Sequence, residues 1–243
     1  MIRPAFMFML SGLALCLSGC GGGGSSAPEV VESAHRASSF HEYRVFSWND
    51  ALTPDWVTER PAPADPTIHF CIAAAFTRAG DYEVDGAFAV NGIWEHTGEA
   101  NPKLGAALVI ERDGTQSRVS VPGKVQVGAD LLARVTESGA DCFQQLSVVV
   151  DGQAQAFRDK ALYVRRALVE KTDGTWCVVE SHKEASLNQF AVDLVEFGAQ
   201  NALYTDMGSF DEGWFRYAGA PIALGRSRSQ TALQSNWWVL RTR

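Results

Sequence analysis

The sequence predicts an α+β fold in which antiparallel strands predominate and one well-capped helix packs on them. Short apolar or alternating segments recur along the chain, and turn pairs of the Asn-Gly and Asp-Gly type separate several of them. Helical spacing of apolar residues is clear only over residues 186–197. The composition, with 46% hydrophobic and 20% charged residues, is that of a globular protein. No internal repeat is visible.

The predicted strands begin at residues 43–48, where apolar and polar residues alternate. A proline-rich connector at 61–66 leads to residues 67–77, a continuous apolar run typical of a strand buried on both faces. Further strands are predicted at 87–90 between Asp85-Gly86 and Asn91-Gly92, at 106–111 and 116–121 around Asp113-Gly114, at 146–150 before Asp151-Gly152, at 161–171 and 175–181 around Asp173-Gly174, and at 202–206 and 236–241.

The predicted helix has a start signal, an apolar face and a stop signal. Ser186 and Gln189 have the spacing of a capping box, in which each side chain covers a free backbone donor of the other. Gly198 occupies the position after the helix where a positive φ is favoured. The apolar face consists of Leu187, Phe190, Ala191, Leu194 and Val195.

Residues 1–19 have the features of a secretory signal, with Arg3 followed by an apolar stretch at 5–17. The sequence Leu17-Ser18-Gly19-Cys20 resembles the lipobox of bacterial lipoproteins, which implies lipidation of Cys20. The alternative is an ordinary cleaved signal in which Cys20 stands by chance. Glycine at position 21, by the same resemblance, favours the outer membrane. We therefore expect a lipoprotein of the bacterial cell envelope, facing the periplasm and touching the membrane through its lipid only.

A flexible tether is predicted at residues 20–39, because the Gly/Ser-rich stretch at 21–26 behaves as coil. The folded domain is predicted over residues 40–243. No later segment reaches the ~20 apolar residues of a membrane span. The net charge of −7 and the lack of a basic stripe argue against nucleic-acid binding.

The cysteines beyond the signal are Cys71, Cys142 and Cys177, and each lies among apolar neighbours. We expect them to be small buried hydrophobic residues. An oxidising compartment permits one disulfide and leaves one thiol over, and the sequence does not decide the pairing. The histidines are scattered and no two cysteines are close in sequence, so we predict no metal site and no cofactor.

The strongest local candidate for chemistry is the segment 203–209. A strand that ends in Asp206 and continues with Gly208 and Ser209 presents a carboxylate, a flexible turn and a hydroxyl at one sheet edge. Loops at sheet ends commonly carry binding groups, since the scaffold fixes them and leaves them accessible.

Three further candidates follow this segment. Asp211 lies close in sequence, Trp214 has a ring suited to stacking on a sugar, and Arg216 is able to pair bidentately with a phosphate. The alternative is a solvated turn in which Trp214 anchors the core. The residues alone favour neither interpretation.

The order of these elements resembles the phosphodiester glycosidase family, the uncovering-enzyme-like domain, in a divergent branch of envelope lipoproteins. The resemblance covers about residues 160–241. It rests on Arg165-Arg166-Ala167-Leu168, the hairpin at 173–174, the capped helix, and the Ala-x-x-x-Asp-x-Gly-Ser pattern at 202–209. It implies an α+β fold that hydrolyses a glycosyl phosphodiester or a related glycoconjugate, with a glycan or sugar phosphate as partner.

The resemblance also implies roles for individual residues. Asp206 would act as acid/base or stabilise an oxocarbenium-like centre, and an arginine would hold the phosphodiester oxygens. Arg166 or Arg165 matches that arginine. Adjacent strand residues point to opposite faces, so one of them enters the cleft, and we expect Arg166. Ser209 and neighbouring backbone N–H groups, with Gly208, would bind the anion.

Two departures from the family pattern bear on catalysis. Met207 replaces a glycine, where a side chain obstructs or reshapes the approach to a ligand. Residues 72–76 lack the asparagine that the family carries there. An enzyme, a non-catalytic glycan- or phosphate-binding lipoprotein that keeps the fold, and an envelope scaffold with neither property therefore remain as alternatives.

Overall fold

The computed structural model describes residues 27–95, 100–113, 116–120, 127–225 and 229–242, and the statements below refer to these. Cys20, with the predicted signal and lipobox, lies outside them. The described elements are β1 (Val30–Arg36), β2 (Glu42–Trp48), β3 (Thr53–Val57), β4 (Ile68–Ala73), β5 (Phe88–Val90), β6 (Ile93–Glu95), β7 (Ala106–Asp113), β8 (Gln116–Ser120), α1 (Ala129–Ser138), β9 (Asp141–Gln145), β10 (Ser147–Val150), β11 (Gln153–Ala154), β12 (Arg166–Lys171), β13 (Trp176–Ser181), α2 (Leu187–Glu196), β14 (Ala199–Tyr204), β15 (Gly213–Tyr217), β16 (Ala220–Leu224), a 3₁₀ turn (Thr231–Leu233) and β17 (Trp237–Arg241).

The strands form three sheets whose described pairings are antiparallel. The large sheet has the order β1-β2-β13-β12-β14-β10-β11, the tryptophan sheet β16-β15-β4-β17-β3, and the middle sheet β6-β5-β9-β7-β8. The molecule is thus broadly α+β with a predominance of β-structure, in agreement with the predicted class.

The central core lies where the three sheets face one another. In β2, Phe46 is fully buried in this core while Val45, one residue earlier, packs on the opposite face, as the alternation of a strand requires. Burying one such large apolar side chain stabilises the fold by roughly 1.5–3 kcal/mol. Other members of the central cluster are Phe70, Phe143, Leu168, Leu203 and Trp238.

Helix α2 packs on the outer face of the large sheet, as its apolar stripe predicted. The Ser186 side chain accepts a hydrogen bond from the Gln189 backbone N–H (3.1 Å), and Gly198 has φ of +97°. Start and stop signals are thereby confirmed. The Gln189 side chain donates to Asp193 (2.8 Å), so the predicted second half of the capping box is replaced by a bond within the helix.

Eight of the described strands and α-helices were not predicted: β1, β3, β6, β9, β11, β15, β16 and α1. The reasons are clearest for β1 and α1. Strand β1 lies inside the segment taken as tether and pairs with β2 along its whole length. Only Val30 of β1 is buried, so the side chains of this strand show no apolar pattern in the sequence. The strand is held in place by its backbone hydrogen bonds to β2. The folded domain therefore begins by residue 30, not 40. Helix α1 starts at Gly128 without a side-chain cap and buries only Leu131 and Val135, which leaves a weak sequence pattern.

The turn pairs at Asn91-Gly92, Asp151-Gly152 and Asp173-Gly174 join paired strands as predicted, whereas Asp85-Gly86 does not, because β5 after it pairs with β6 and β9 and not with β4. Asn91-Gly92 and Asp151-Gly152 have φ values of 50°, 78°, 49° and 72°, the left-handed conformation of type I′ turns. Asp173-Gly174 joins β12 to β13. Strands β7 and β8 also pair, although Gly114 in their turn lies outside the described residues.

The three domain cysteines are buried and free, with exposures of 1%, 0% and 2%. Their prediction as small buried hydrophobic residues is confirmed. Burial raises the pKa of each thiol well above its ordinary value. Neither described helix has the length and apolar character needed to cross a membrane.

Candidate functional site

Asp206 lies where strands of two sheets end together. After β14 ends at Tyr204, the Asp206 backbone N–H donates to the carbonyl of Ala74, just beyond β4 (3.0 Å). This bond joins the large sheet to the tryptophan sheet. The junction, which we call the Asp206 corner, comprises residues 74–77, 205–211 and 234–236.

The carboxylate of Asp206 is 3% exposed and has two backbone donors. Its Oδ2 accepts from the Thr77 N–H (3.0 Å) and its Oδ1 from the Gly208 N–H (3.2 Å). Burial raises the pKa of Asp206 to about 6; the two hydrogen bonds oppose the rise, and the negative charge of Asp211 adds to it. A carboxyl with this pKa exchanges a proton near neutral pH, as a general acid or base requires.

The facing segment is held by residues just before β17. The Thr77 hydroxyl donates to the side-chain amide oxygen (Oε1) of Gln234 (3.1 Å) and bonds to the Ser235 hydroxyl (2.9 Å). Asn236 accepts from the Ala75 N–H (2.7 Å) and donates to the Ala75 carbonyl (3.1 Å). Residues 72–76 lack an asparagine, but Asn236 brings an amide to the same segment from another strand.

The loop after Asp206 presents small polar groups to solvent. Gly208 and Ser209 are exposed, as the sequence predicted. Met207 is 6% exposed and packs in the cluster beneath α2. Its side chain is therefore turned away from the loop surface, and the expected obstruction is not present.

Arg166 is fully buried between two carboxylates. Its Nε and Nη2 donate to Glu180 Oε2 (2.8 and 2.5 Å), and its Nη1 donates to Asp211 Oδ1 (3.0 Å). Burial alone would lower the pKa of Arg166, but the charges of the two carboxylates outweigh it and raise that pKa. The prediction that Arg166 enters the cleft to hold a phosphodiester is wrong: it fixes Asp211 and hence the loop beside Asp206.

The ion pairs continue across the strands towards solvent. Arg166, Glu180 and Arg44 occupy one lateral register on β12, β13 and β2. Arg44 lies 3.4 Å from Glu180 and donates to Glu32 (2.6 Å) on β1. A cleft of about 860 Å³ extends over Arg44 and Glu180, the outer members of this row, and is bounded on its other side by Ala223 of β16 and Gly225.

Arg165 faces the helix side of the large sheet, opposite to Arg166. Its guanidinium donates to the carbonyls of Ala185 (2.9 Å) and Ala161 (2.7 Å) and to the Tyr204 hydroxyl (3.2 Å). Its donors thus tie the loop before β12 to the sheet, which is a structural role.

Trp214 and Arg216 lie together on the outer face of the tryptophan sheet. Trp214 is 5% exposed and packs with Trp237, so it is a core anchor, the alternative left open by the sequence. Arg216 donates to the backbone carbonyls of residues 63, 65, 68 and 219. The sugar-stacking and phosphate-binding roles expected of these two residues are therefore wrong.

The structure thus brings Asp206, Gly208, Ser209 and Asp211 together and connects Arg166 to them through Asp211. Sequence reasoning missed Thr77, Glu180 and Arg44. For Glu180 and Arg44, the available signal was a charged residue at an inward-facing strand position, because such positions are ordinarily apolar. Thr77 gave no such signal. Among the described residues, no group of three or more potential ligands is placed to hold a metal ion.

Comparisons with known proteins agree with this architecture. Neither a family model nor a curated protein matches the sequence. The fold is similar to the catalytic domain of zebrafish N-acetylglucosamine-1-phosphodiester α-N-acetylglucosaminidase, auto-inhibited by its pro-peptide, with a TM-score of 0.60, 12% identity, and coverage of 91% of this chain and 86% of that one. A hypothetical protein from Synechocystis gives a TM-score of 0.55 at 14% identity, over 90% of this chain and 64% of that one. At these identities the likeness shows a distant structural relationship, that is, a shared fold.

Proposed function

We propose that this chain is a hydrolase of the phosphodiester glycosidase kind, which releases a sugar from a glycosyl phosphodiester. The observation that carries the proposal is the buried Asp206 carboxyl, with a pKa of about 6, at a junction of strand ends. The fold it shares with a glycosidase domain, named for a sugar 1-phosphodiester, supports the same substrate class.

In the proposed reaction, Asp206 acts as general base. It removes a proton from a water molecule as that water attacks the anomeric carbon, and the bond from this carbon to the phosphate oxygen breaks. The products are the free sugar and a phosphate monoester, which leaves as an anion. Since a phosphate is a much weaker base than a sugar hydroxyl, its departure needs less protonation than in ordinary glycoside hydrolysis.

The neighbouring groups would position the reactants. The Gly208 N–H already donates to Asp206, so the exposed Ser209 hydroxyl is the group left to contact the substrate. Arg166 holds Asp211 in place, and the charge of Asp211 helps to keep the pKa of Asp206 high. Arg166 and Asp211 are thus positioning residues.

We also propose that the protein works at the bacterial cell envelope, facing the periplasm and anchored in the outer membrane by a lipid on Cys20. The signal-like residues 1–19 and the lipobox-like residues 17–20 support this. Because β1 begins at Val30, the linker between anchor and domain would be about ten residues long. Globomycin-sensitive processing, abolished in Cys20→Ser, tests the anchor independently of activity.

One observation favours a second candidate, a non-catalytic glycan- or phosphate-binding lipoprotein. Arg166 is the residue that matches the family's arginine, and its guanidinium group is already ion-paired with Glu180 and Asp211. A site without an accessible arginine at that position would hold a phosphodiester less firmly in the geometry for reaction.

Sugar release from methyl N-acetylglucosaminyl 1-phosphate distinguishes the two. For the enzyme, Asp206→Asn lowers the rate about 100-fold or more, as expected for loss of a general base. Asp50→Asn, at an exposed turn, is the matched control and keeps the parent rate. Equal rates in Asp206→Asn and the parent would remove Asp206 from the mechanism. Binding by the parent without any release would favour the second candidate.

A further inference from the structure

An aromatic residue with an unfavourable backbone conformation lies beside the Asp206 corner. Tyr82 has φ of +62°, in the left-handed region that bulky residues rarely adopt. Its N–H donates to the Arg78 carbonyl (3.0 Å), and the Arg78 guanidinium pairs with Asp81 (2.7 Å) and Glu83 (2.9 Å). These bonds make residues 78–83 a well-defined turn. Non-glycine residues in such conformations concentrate at functional sites.

The turn is connected to the corner at both ends. It follows Thr77 directly, and the Thr77 N–H donates to Asp206. On its other side, the Tyr82 ring makes an edge-to-face contact with Phe210, with centroids 6.3 Å apart and planes at 71°. Phe210 is itself buried and follows the exposed Ser209. The ring of Tyr82 is therefore fixed next to the loop that leaves Asp206.

The Tyr82 side chain is 41% exposed in spite of this contact. A tyrosine that served only to cover Phe210 would gain more by lying flat on it, since an exposed ring loses burial energy. Glycine would fit the backbone of this turn without strain. The structure thus keeps a partly exposed aromatic ring where neither the backbone nor the core requires one.

We propose that Tyr82, with Gly208 and Ser209, forms a sugar-binding subsite beside Asp206. The ring stacks on the apolar face of a pyranose, and the Ser209 hydroxyl bonds to a sugar hydroxyl. The inference rests on the proposed function, because it supplies the sugar side of that reaction. It assigns to Tyr82 the stacking role that the sequence suggested for Trp214.

Titration calorimetry with N-acetylglucosamine 1-phosphate, glucose 1-phosphate and mannose 1-phosphate tests the subsite without requiring turnover. We expect Tyr82→Ala to weaken binding of the preferred sugar phosphate roughly tenfold, and Tyr82→Phe to retain it, since stacking needs the ring and not the hydroxyl. Tyr217→Ala, which removes a 64% exposed tyrosine from the β15–β16 hairpin, is the matched control and binds like the parent.

Tyr82→Gly separates a binding role from a structural one. Because glycine relieves the positive φ, this variant is expected to unfold at a temperature no lower than the parent while losing the sugar phosphate. Parent-like affinity in Tyr82→Ala or Tyr82→Gly would overturn the subsite and leave the proposed hydrolysis standing. If none of the three probes binds the parent, the subsite is also overturned, whereas the hydrolase is judged separately by its release of sugar from the methyl diester.

Discussion

Gly225 allows the backbone after β16 to touch the buried ion pair between Arg166 and Asp211. A Cβ atom at this position would lie 2.3 Å from Asp211 Oδ2 and 2.8 Å from Arg166 Nη2. Both contacts are well inside van der Waals distance. Arg166 has no room to withdraw, because Glu180 holds the other side of its guanidinium. Gly225→Ala should therefore displace the pair and destabilise the fold.

Two effects contribute to the expected loss. An alanine with φ of +68° costs about 1–2 kcal/mol relative to glycine. Disrupting a buried ion pair costs about 3–5 kcal/mol more, because each charge loses its partner while remaining away from water. For a chain of this size, 1 kcal/mol lowers the melting temperature by about 2–4 °C. The ion-pair contribution alone then amounts to about 6–20 °C.

Gly219→Ala is the matched control. Gly219 has φ of +84°, and a Cβ atom there would meet nothing within 4 Å. It therefore carries the backbone cost without the collision. Thermal unfolding of both variants, followed by circular dichroism, gives the difference directly. If the two melting temperatures fall equally, the backbone at Gly225 does not pack on the ion pair, and the arrangement of the site described above is wrong.

Four further outcomes follow from the structure. The pKa of Asp206 is raised from 3.8 to about 6, so the stability that the protonated carboxyl contributes is present below about pH 4 and is lost as the pH rises through 6. In denaturant titrations, the free energy of unfolding of the parent should fall by about 3 kcal/mol over that range relative to Asp206→Asn. Arg166→Met should cost about 3–5 kcal/mol in urea unfolding, and adding Glu180→Leu should recover part of it. Ser186→Ala should cost about 1 kcal/mol in the same assay, through loss of the helix cap. The three buried thiols should resist Ellman's reagent in the native protein and react together in guanidinium chloride; a fast-reacting thiol in the native state would contradict their burial.

The elements that could be predicted are those with local causes. Helix α2 has its cap, stripe and stop within thirteen residues, and the hairpins have turn pairs that accept positive φ. Strand β1 could not be predicted in this way, because its stability comes from pairing with β2 and almost none of its side chains are buried. Its polar composition is typical of a linker and equally of an exposed edge strand.

For the site, too, only features with a local cause in the sequence could be predicted. Asp206 follows a strand, so its position at a sheet end could be inferred. The pairing of Arg166 with two carboxylates could not be predicted. It depends on the strand register that places Glu180 opposite Arg166, and on the loop after β14 that brings Asp211 next to it. For Trp214, the sequence does not say which face of β15 is covered, and both faces of that sheet carry apolar residues.

The position of β17 within its sheet has a consequence for biogenesis. Residues 237–241 pair with β3 on one side and β4 on the other, so two segments within residues 53–73 receive their shared neighbour only after residues 74–236 have been made. Contacts of such sequence separation form slowly, and the incomplete sheet exposes unpaired edges meanwhile. For a polypeptide that we propose is exported, the tryptophan sheet would stay incomplete until residues 237–241 have been made, which favours an unfolded chain during the translocation of the preceding residues.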